Sequence, residues 1–178
     1  MIDIAFIEQW ACLYSCEYDD HFYYPYLRAA RQGDHVALRR LTEWKNSAKD
    51  GRPVPLSAPQ EKAFQFFLSR LQNYFGDKGK SSLRADFSSR APVWATFWHH
   101  ILFGTPIFDV YTHMAWHWDV TGVRLLKSEA KLFAPGHWPT YDRYTFWLNT
   151  TLAVLRSHDA RITERQVDRA LVMWGANP

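Results

Sequence analysis

Two cysteines in 178 residues, Cys12 and Cys16, are too few for a disulfide framework. They stand four apart in a segment that reads as helical, so the thiols share a face as small buried fillers in a reducing compartment. No adjacent base or nucleophile signature marks either as catalytic. No run reaches eighteen uninterrupted apolar residues, and the opening MIDIAFIEQW has neither a basic n-region nor a small-residue cleavage site. A cytoplasmic chain with no membrane partner is the expectation. Alternation of apolar with polar residues is scarce and β-branched residues are scattered, which excludes a strand-rich fold. Repeats, low-complexity tracts and phosphate-cradling glycine loops are missing too.

Aromatic side chains are plentiful. They make up 17% of the chain within a hydrophobic share of 47%, enough to bury a substantial core and to exclude disorder. The charged share is 22% and the formal net charge +3, a balance that permits an anionic partner without requiring one. Residues 1–178 are therefore read as a single all-α domain, or as two small lobes with a cleft near Asp109. A monomer is expected.

Helical punctuation recurs along the chain. Asp34 caps GDHVALRRLTEWKN, where Val36, Leu38, Leu41 and Trp44 approximate a stripe. Ser57 caps SAPQEKAFQFFLSRLQNYFG, with Phe64, Phe67, Leu68, Leu71 and Phe75 on one face and Gly76 as the stop. Thr163 and Gln166 have capping-box spacing before Val167, Ala170, Leu171 and Trp174. A further helix is predicted over roughly Thr140 to Arg156. The breaker-rich stretches Asn46 to Pro59, Gly76 to Pro92 and Ala134 to Pro139 read as loops, in a total of about seven or eight helices.

His113 and His117 stand four apart, with His99 and His100 on the preceding helix, but no HExxH or paired-Cys motif accompanies them. They read as polar ends of aromatic helices that hydrogen-bond within the fold, so no metal and no cofactor is assigned. The stretch GDKGKSSLRADFSSRAP is different. Lys78, Lys80, Arg84 and Arg90 outnumber Asp77 and Asp86, and the small residues between them leave backbone N–H groups open to a phosphate. Its plainer reading is a solvated loop.

The stretch APVWATFWHHILFGTPIFDVYTHMAWHW poses the sharpest question. Two aromatic-rich helical segments flank a tight FGTPIF turn, and Asp109 stands alone where the second helix begins. Asp is among the best N-caps, so a capping role competes with a chemical one.

The layout of helix, short Pro-containing turn, apolar residue, acid and helix resembles the surroundings of the catalytic aspartate in the helix-hairpin-helix DNA glycosylase superfamily. LTEWKN at 41–46 and QVDRALVMWG at 166–175 are similar to segments of its small, divergent, all-helical phage-defence members. The resemblance implies a compact multi-helix fold with an altered hairpin, since DFSSRAP stands in place of a PGVG-like sequence and Tyr111 where His is usual. The position eighteen residues before the acid, which holds a Schiff-base lysine in bifunctional members, is Ala91. The implied enzyme is thus monofunctional and uses water.

In that chemistry a fixed carboxylate stabilises the oxocarbenium-like sugar and orients or deprotonates water. The N-terminus of a helix favours the ionised acid, so capping and catalysis are compatible at Asp109. The expected substrate is double-stranded DNA carrying a modified base, such as a glucosylated hydroxymethylcytosine of phage DNA, with excision leaving an abasic site. Trp44, Trp94, Tyr111 and Trp116 are the candidate base-pocket walls. Asn46 is the candidate for the gap left by the flipped nucleotide, against the plainer reading of a helix-terminating Asn, and Lys78, Lys80, Arg84, Ser88, Ser89 and Arg90 the candidates for the phosphates. A noncatalytic module for modified or damaged DNA, or an all-α interaction subunit, is the alternative.

Overall fold

The computed structural model describes residues 2–14, 23–46, 53–131 and 136–177. Among them the regular elements are nine α-helices and a short 3₁₀ turn, with no strand. The chain divides into two compact units: residues 1–14 together with 105–178, and the continuous stretch 15–104. No helix of the described residues is long and apolar enough to cross a membrane. Cys12 is exposed, not the buried filler expected, and Cys16 lies outside the described residues.

The continuous unit holds α2 (Tyr24–Arg31), α3 (His35–Lys45), α4 (Ala58–Ser69), the 3₁₀ turn (Leu71–Tyr74), α5 (Gly79–Asp86) and α6 (Pro92–Phe103). Asp34 caps α3 by accepting from the N–H groups of Val36 and Ala37. That helix buries Ala37, Leu38, Leu41, Thr42 and Trp44, but Val36 is 67% exposed. Two residues advance about 200° around a helix, so Val36 faces away from Leu38. Ser57 and Gln60 form a capping box on α4 as their spacing invites. The helix stops at Ser69, before Gly76, and the chain tightens into the 3₁₀ turn, leaving Phe75 exposed.

Trp98 of α6 is fully buried at the centre of this unit, with Phe67 stacked on it at 4.5 Å and Phe87 edge-on at 5.2 Å. Its indole N–H donates to Thr42 Oγ1 at 3.2 Å, and Thr42 in turn donates to the Leu38 carbonyl. Removing so large a buried ring costs about 3–5 kcal/mol in typical cores. His99 and His100 are core residues rather than polar helix ends, 4% and 8% exposed, and His100 bonds the Tyr23 hydroxyl through Nε2.

The stretch Gly76 to Pro92 is not all loop, because α5 occupies its middle. Leu83 and Phe87, four apart, are fully buried and supply the apolar anchor. Gly79 starts the helix under a close approach: a Cβ there would sit 1.9 Å from the Tyr74 carbonyl oxygen, so only glycine fits.

The discontinuous unit holds α1 (Ile4–Ala11), α7 (Val110–Thr121), α8 (His137–His158) and α9 (Glu164–Ala176). The Thr163–Gln166 capping box forms, and Val167, Ala170 and Leu171 are buried as α9 packs against both α1 and α7. Trp174 stacks on Trp118 at 4.4 Å and takes Phe6 edge-on at 5.0 Å. Gly175 meets α7 so closely that a Cβ would lie 2.1 Å from the Tyr111 carbonyl oxygen. α8 begins at His137, inside the stretch expected to be loop, because Gly136 enters it at φ 112° and Pro139 falls in the first turn, where no helical N–H is required.

Candidate functional site

Asp109 follows the turn Gly104 to Phe108 and caps α7. Gly104 ends α6 at φ 65°, and the chain reverses through Thr105 and Pro106, both held by the Tyr141 hydroxyl. That hydroxyl donates to the Pro106 carbonyl at 2.9 Å, pinning the turn to α8. Ile107 and Phe108 are buried, so the next residue emerges at the helix start. There Asp109 Oδ1 accepts from the N–H groups of Tyr111 at 2.9 Å and Thr112 at 3.0 Å, while the Asp109 N–H donates to Thr112 Oγ1 at 2.8 Å. The carboxylate is half-buried and its orientation is set by two backbone donors.

Behind it lies an aromatic cluster. Phe108 stacks on Tyr144 at 4.5 Å, and Trp116 meets Phe108 at 6.2 Å, Tyr144 at 6.0 Å and His113 at 5.6 Å. The Tyr144 hydroxyl and the Trp116 indole N–H are buried with no hydrogen-bond partner among the described residues. Burial pushes the Tyr144 hydroxyl well above the usual phenol range, and the negative charges of Asp168 and Asp109 add to that. Burial likewise raises Glu164 above the ordinary carboxylate range, with Asp168 adding to it. Tyr111 accepts a hydrogen bond from Lys127 Nζ at 2.8 Å, and that ammonium lies 4.9 Å from the ring centre. Of the four candidate pocket walls, Tyr111 and Trp116 belong to this unit, the first beside the cap and the second in the cluster.

The other candidates belong to the continuous unit. Trp44 is 8% exposed and packs on Tyr23 at 5.1 Å and Phe97 at 6.2 Å, which makes it part of the core. Asn46 is the C-cap of α3, and its side-chain amide donates to the carbonyls of Val54 and Pro55 while its oxygen accepts from Gln60 Nε2 at 2.8 Å. It closes the path from α3 to α4. Lys78 is exposed at the start of α5, and Lys80 lies 5.8 Å from the Phe103 ring. Arg84 is half-buried on the same helix, and Ser88 and Ser89 are exposed just beyond it. The backbone donors expected to be open are partly spent: Ser82 N–H bonds Lys78 O, Phe87 N–H bonds Leu83 O and Ser88 N–H bonds Ala85 O.

Arg90 and Trp94 do come together. With Pro59, Lys62, Phe66 and Ala91 they line a groove of about 400 Å³ between the outer face of α4 and the start of α6. Arg90 lies over the Phe66 ring at 4.6 Å. Lys62 and Phe66 escaped the sequence reading, although Pro59, Lys62, Ala63 and Phe66 recur at helical spacing as a stripe beside the buried Phe64 and Phe67. Two further hollows on this unit are lined by Arg28 and Arg31, and by Arg39 and Arg40. Asp109 lines none of the three grooves.

His113 and His117 turn their Nδ1 atoms to the carbonyls of Ala130 at 2.8 Å and Val123 at 2.9 Å. Among the described residues no three His, Cys, Asp or Glu side chains converge as a metal site. No family model, curated protein or solved structure matches this chain.

Proposed function

We propose that the protein is a monofunctional DNA glycosylase in which Asp109 drives hydrolytic release of a modified base from double-stranded DNA, leaving an abasic site. One observation carries the reading. A half-buried carboxylate is aimed by two backbone N–H groups at the start of a helix, straight after an apolar helix and a Gly-Thr-Pro turn. A charge fixed in this way needs no reorganisation when positive charge develops on a sugar, which is where electrostatic catalysis gains most. The positive end of the helix supports the ionised form. A bulky base of viral DNA, such as glucosylated hydroxymethylcytosine, is the proposed substrate, on the resemblance to phage-defence glycosylases.

The test is incubation with duplexes bearing different modified bases, followed by alkali to cut any abasic site. Asp109→Asn keeps size and part of the cap while removing the charge, so base release should fall about 10²-fold or more with the protein still folded. Borohydride should trap no covalent adduct. Near-wild-type release by folded Asp109→Asn protein would refute the assignment.

A second reading, a noncatalytic module for modified or damaged DNA, is favoured by the groove at Arg90 and Trp94, which does not include Asp109. Such a module retains modified DNA and creates no abasic site.

A further inference from the structure

The groove between α4 and the start of α6 combines three features. Its walls are aromatic: Phe66 on α4 and Trp94 on α6. Its charged lining residues are both cations, Lys62 and Arg90, with no carboxylate among them. Its floor ends at the first turn of α6, where Ala91 offers no side-chain cap and Pro92 no N–H, leaving the N–H groups of Val93 and Trp94 as that turn's open donors. Arg90 has no carboxylate partner among the described residues, and its guanidinium carbon lies over the Phe66 ring, 4.6 Å from the centroid, within the lining of the groove.

We propose that this groove binds an unpaired nucleotide of a single-stranded nucleic-acid segment, with the base against Trp94 and the Arg90 plane and the phosphate on Lys62, the Arg90 edge and the start of α6. Each half of the ligand answers a different feature. Aromatic and guanidinium planes hold bases of any identity by stacking. Two cations and a helix start line one groove, a combination that suits a phosphate. A volume of about 400 Å³ admits a base with its sugar but not a duplex. A peptide with an acidic and an aromatic side chain is the competing occupant. It would leave most of the cationic equipment unused, since a single carboxylate is met by one guanidinium. The inference shares with the function proposed above the premise of a nucleic-acid partner, and it requires no base release.

The experiment measures binding of labelled short oligothymidylate to the intact protein by fluorescence anisotropy. An oligomer of the same phosphates lacking bases and an acidic aromatic peptide of equal charge are the comparisons. Oligothymidylate should bind about ten-fold or more tightly than the base-free oligomer. Trp94→Ala should abolish that preference while Trp94→Phe keeps much of it, and Arg90→Gln should weaken both oligomers and flatten their salt dependence. Circular dichroism verifies that each variant is folded. Equal affinity for the two oligomers, an unchanged preference in folded Trp94→Ala, or tighter binding of the peptide overturns the proposal. Because no base is excised in this assay, its failure leaves the Asp109 test standing, and loss of base release leaves this one standing.

Discussion

His113 has an imidazole Nδ1 that bonds the Ala130 carbonyl, and an aromatic face that stacks on Trp116. Burial pulls its pKa below the ordinary 6.5, with the Ala130 bond opposing and the nearby His117 and Arg143 charges assisting. Between the folded value and 6.5 the unfolded chain holds a proton that the native protein refuses, so stability is full above 6.5 and is lost as pH falls through that window. Urea melts between about pH 7 and pH 5 should show wild type losing more stability than His113→Gln, which cannot titrate in this range. Equal losses would remove His113 from the acid response. Residues differ in how well sequence discloses them. Asp109 was legible as a cap because its role is local, bonding residues two and three ahead. Asn46 was legible as the end of a helix, which it is, but its partners Val54, Pro55 and Gln60 lie eight or more residues on, where no local pattern announces them. Ala91 was not legible: its left-handed φ of 43° is adopted by a residue type with nothing to favour it.

Elements with caps at both the right spacing and the right residues were read correctly, and α9 is the clearest, from Thr163 to the buried Leu171. α5 was missed for a physical reason. Eight residues with a glycine at the start and charges along one side form a poor isolated helix, and the segment is stabilised by burying Leu83 and Phe87 and by the fit of Gly79 under the Tyr74 carbonyl. That is tertiary information. The same kind of fit joins α9 to α7 at Gly175, and opposing magnitudes make it testable. Alanine raises helix propensity by about 1 kcal/mol over glycine. Its Cβ, however, would stand 2.1 Å from the Tyr111 carbonyl oxygen, so backbone must move, and overpacking of this sort costs about 1–3 kcal/mol or more. Gly175→Ala should therefore lower the chemical-denaturation midpoint despite the better helix former. An unchanged or raised midpoint would mean that the two helices separate freely. Because Tyr111 N–H is one of the two donors to Asp109, the displacement also reaches the carboxylate.

At the scale of the whole chain, composition announced an all-helical fold, and the described residues are helical with no strand. Where the chain divides was beyond its reach. Contacts group residues 1–14 with 105–178 and leave 15–104 as a unit of its own, a topology set by long-range pairing of α1 with α9. The continuous unit has its own aromatic core around Trp98, complete with the Thr42 bond to the indole. A fragment spanning residues 15–104 should thus fold alone, giving a helical spectrum and a single cooperative melt. A fragment spanning 105–178 should be less ordered, since it lacks the α1 residues Phe6 and Ile7 that cover α9. A non-cooperative melt of the first fragment would make the two units interdependent.

The pairing of α1 with α9 also fixes an order of events in time. During synthesis α1 emerges before the continuous unit, yet the helix it packs on, with Phe6 against Trp174, is α9, which emerges after that unit. The continuous unit, whose helices all lie between, has its own aromatic core in hand while α9 is still unwritten. Until Trp174 appears, Phe6 of α1 lacks the ring it packs against, and exposed apolar surface of this kind is what chaperones protect. The helix that Asp109 caps waits with α1, because α7 too completes its packing on α9. The packing of the helix that Asp109 caps is thereby complete only once translation has passed α9.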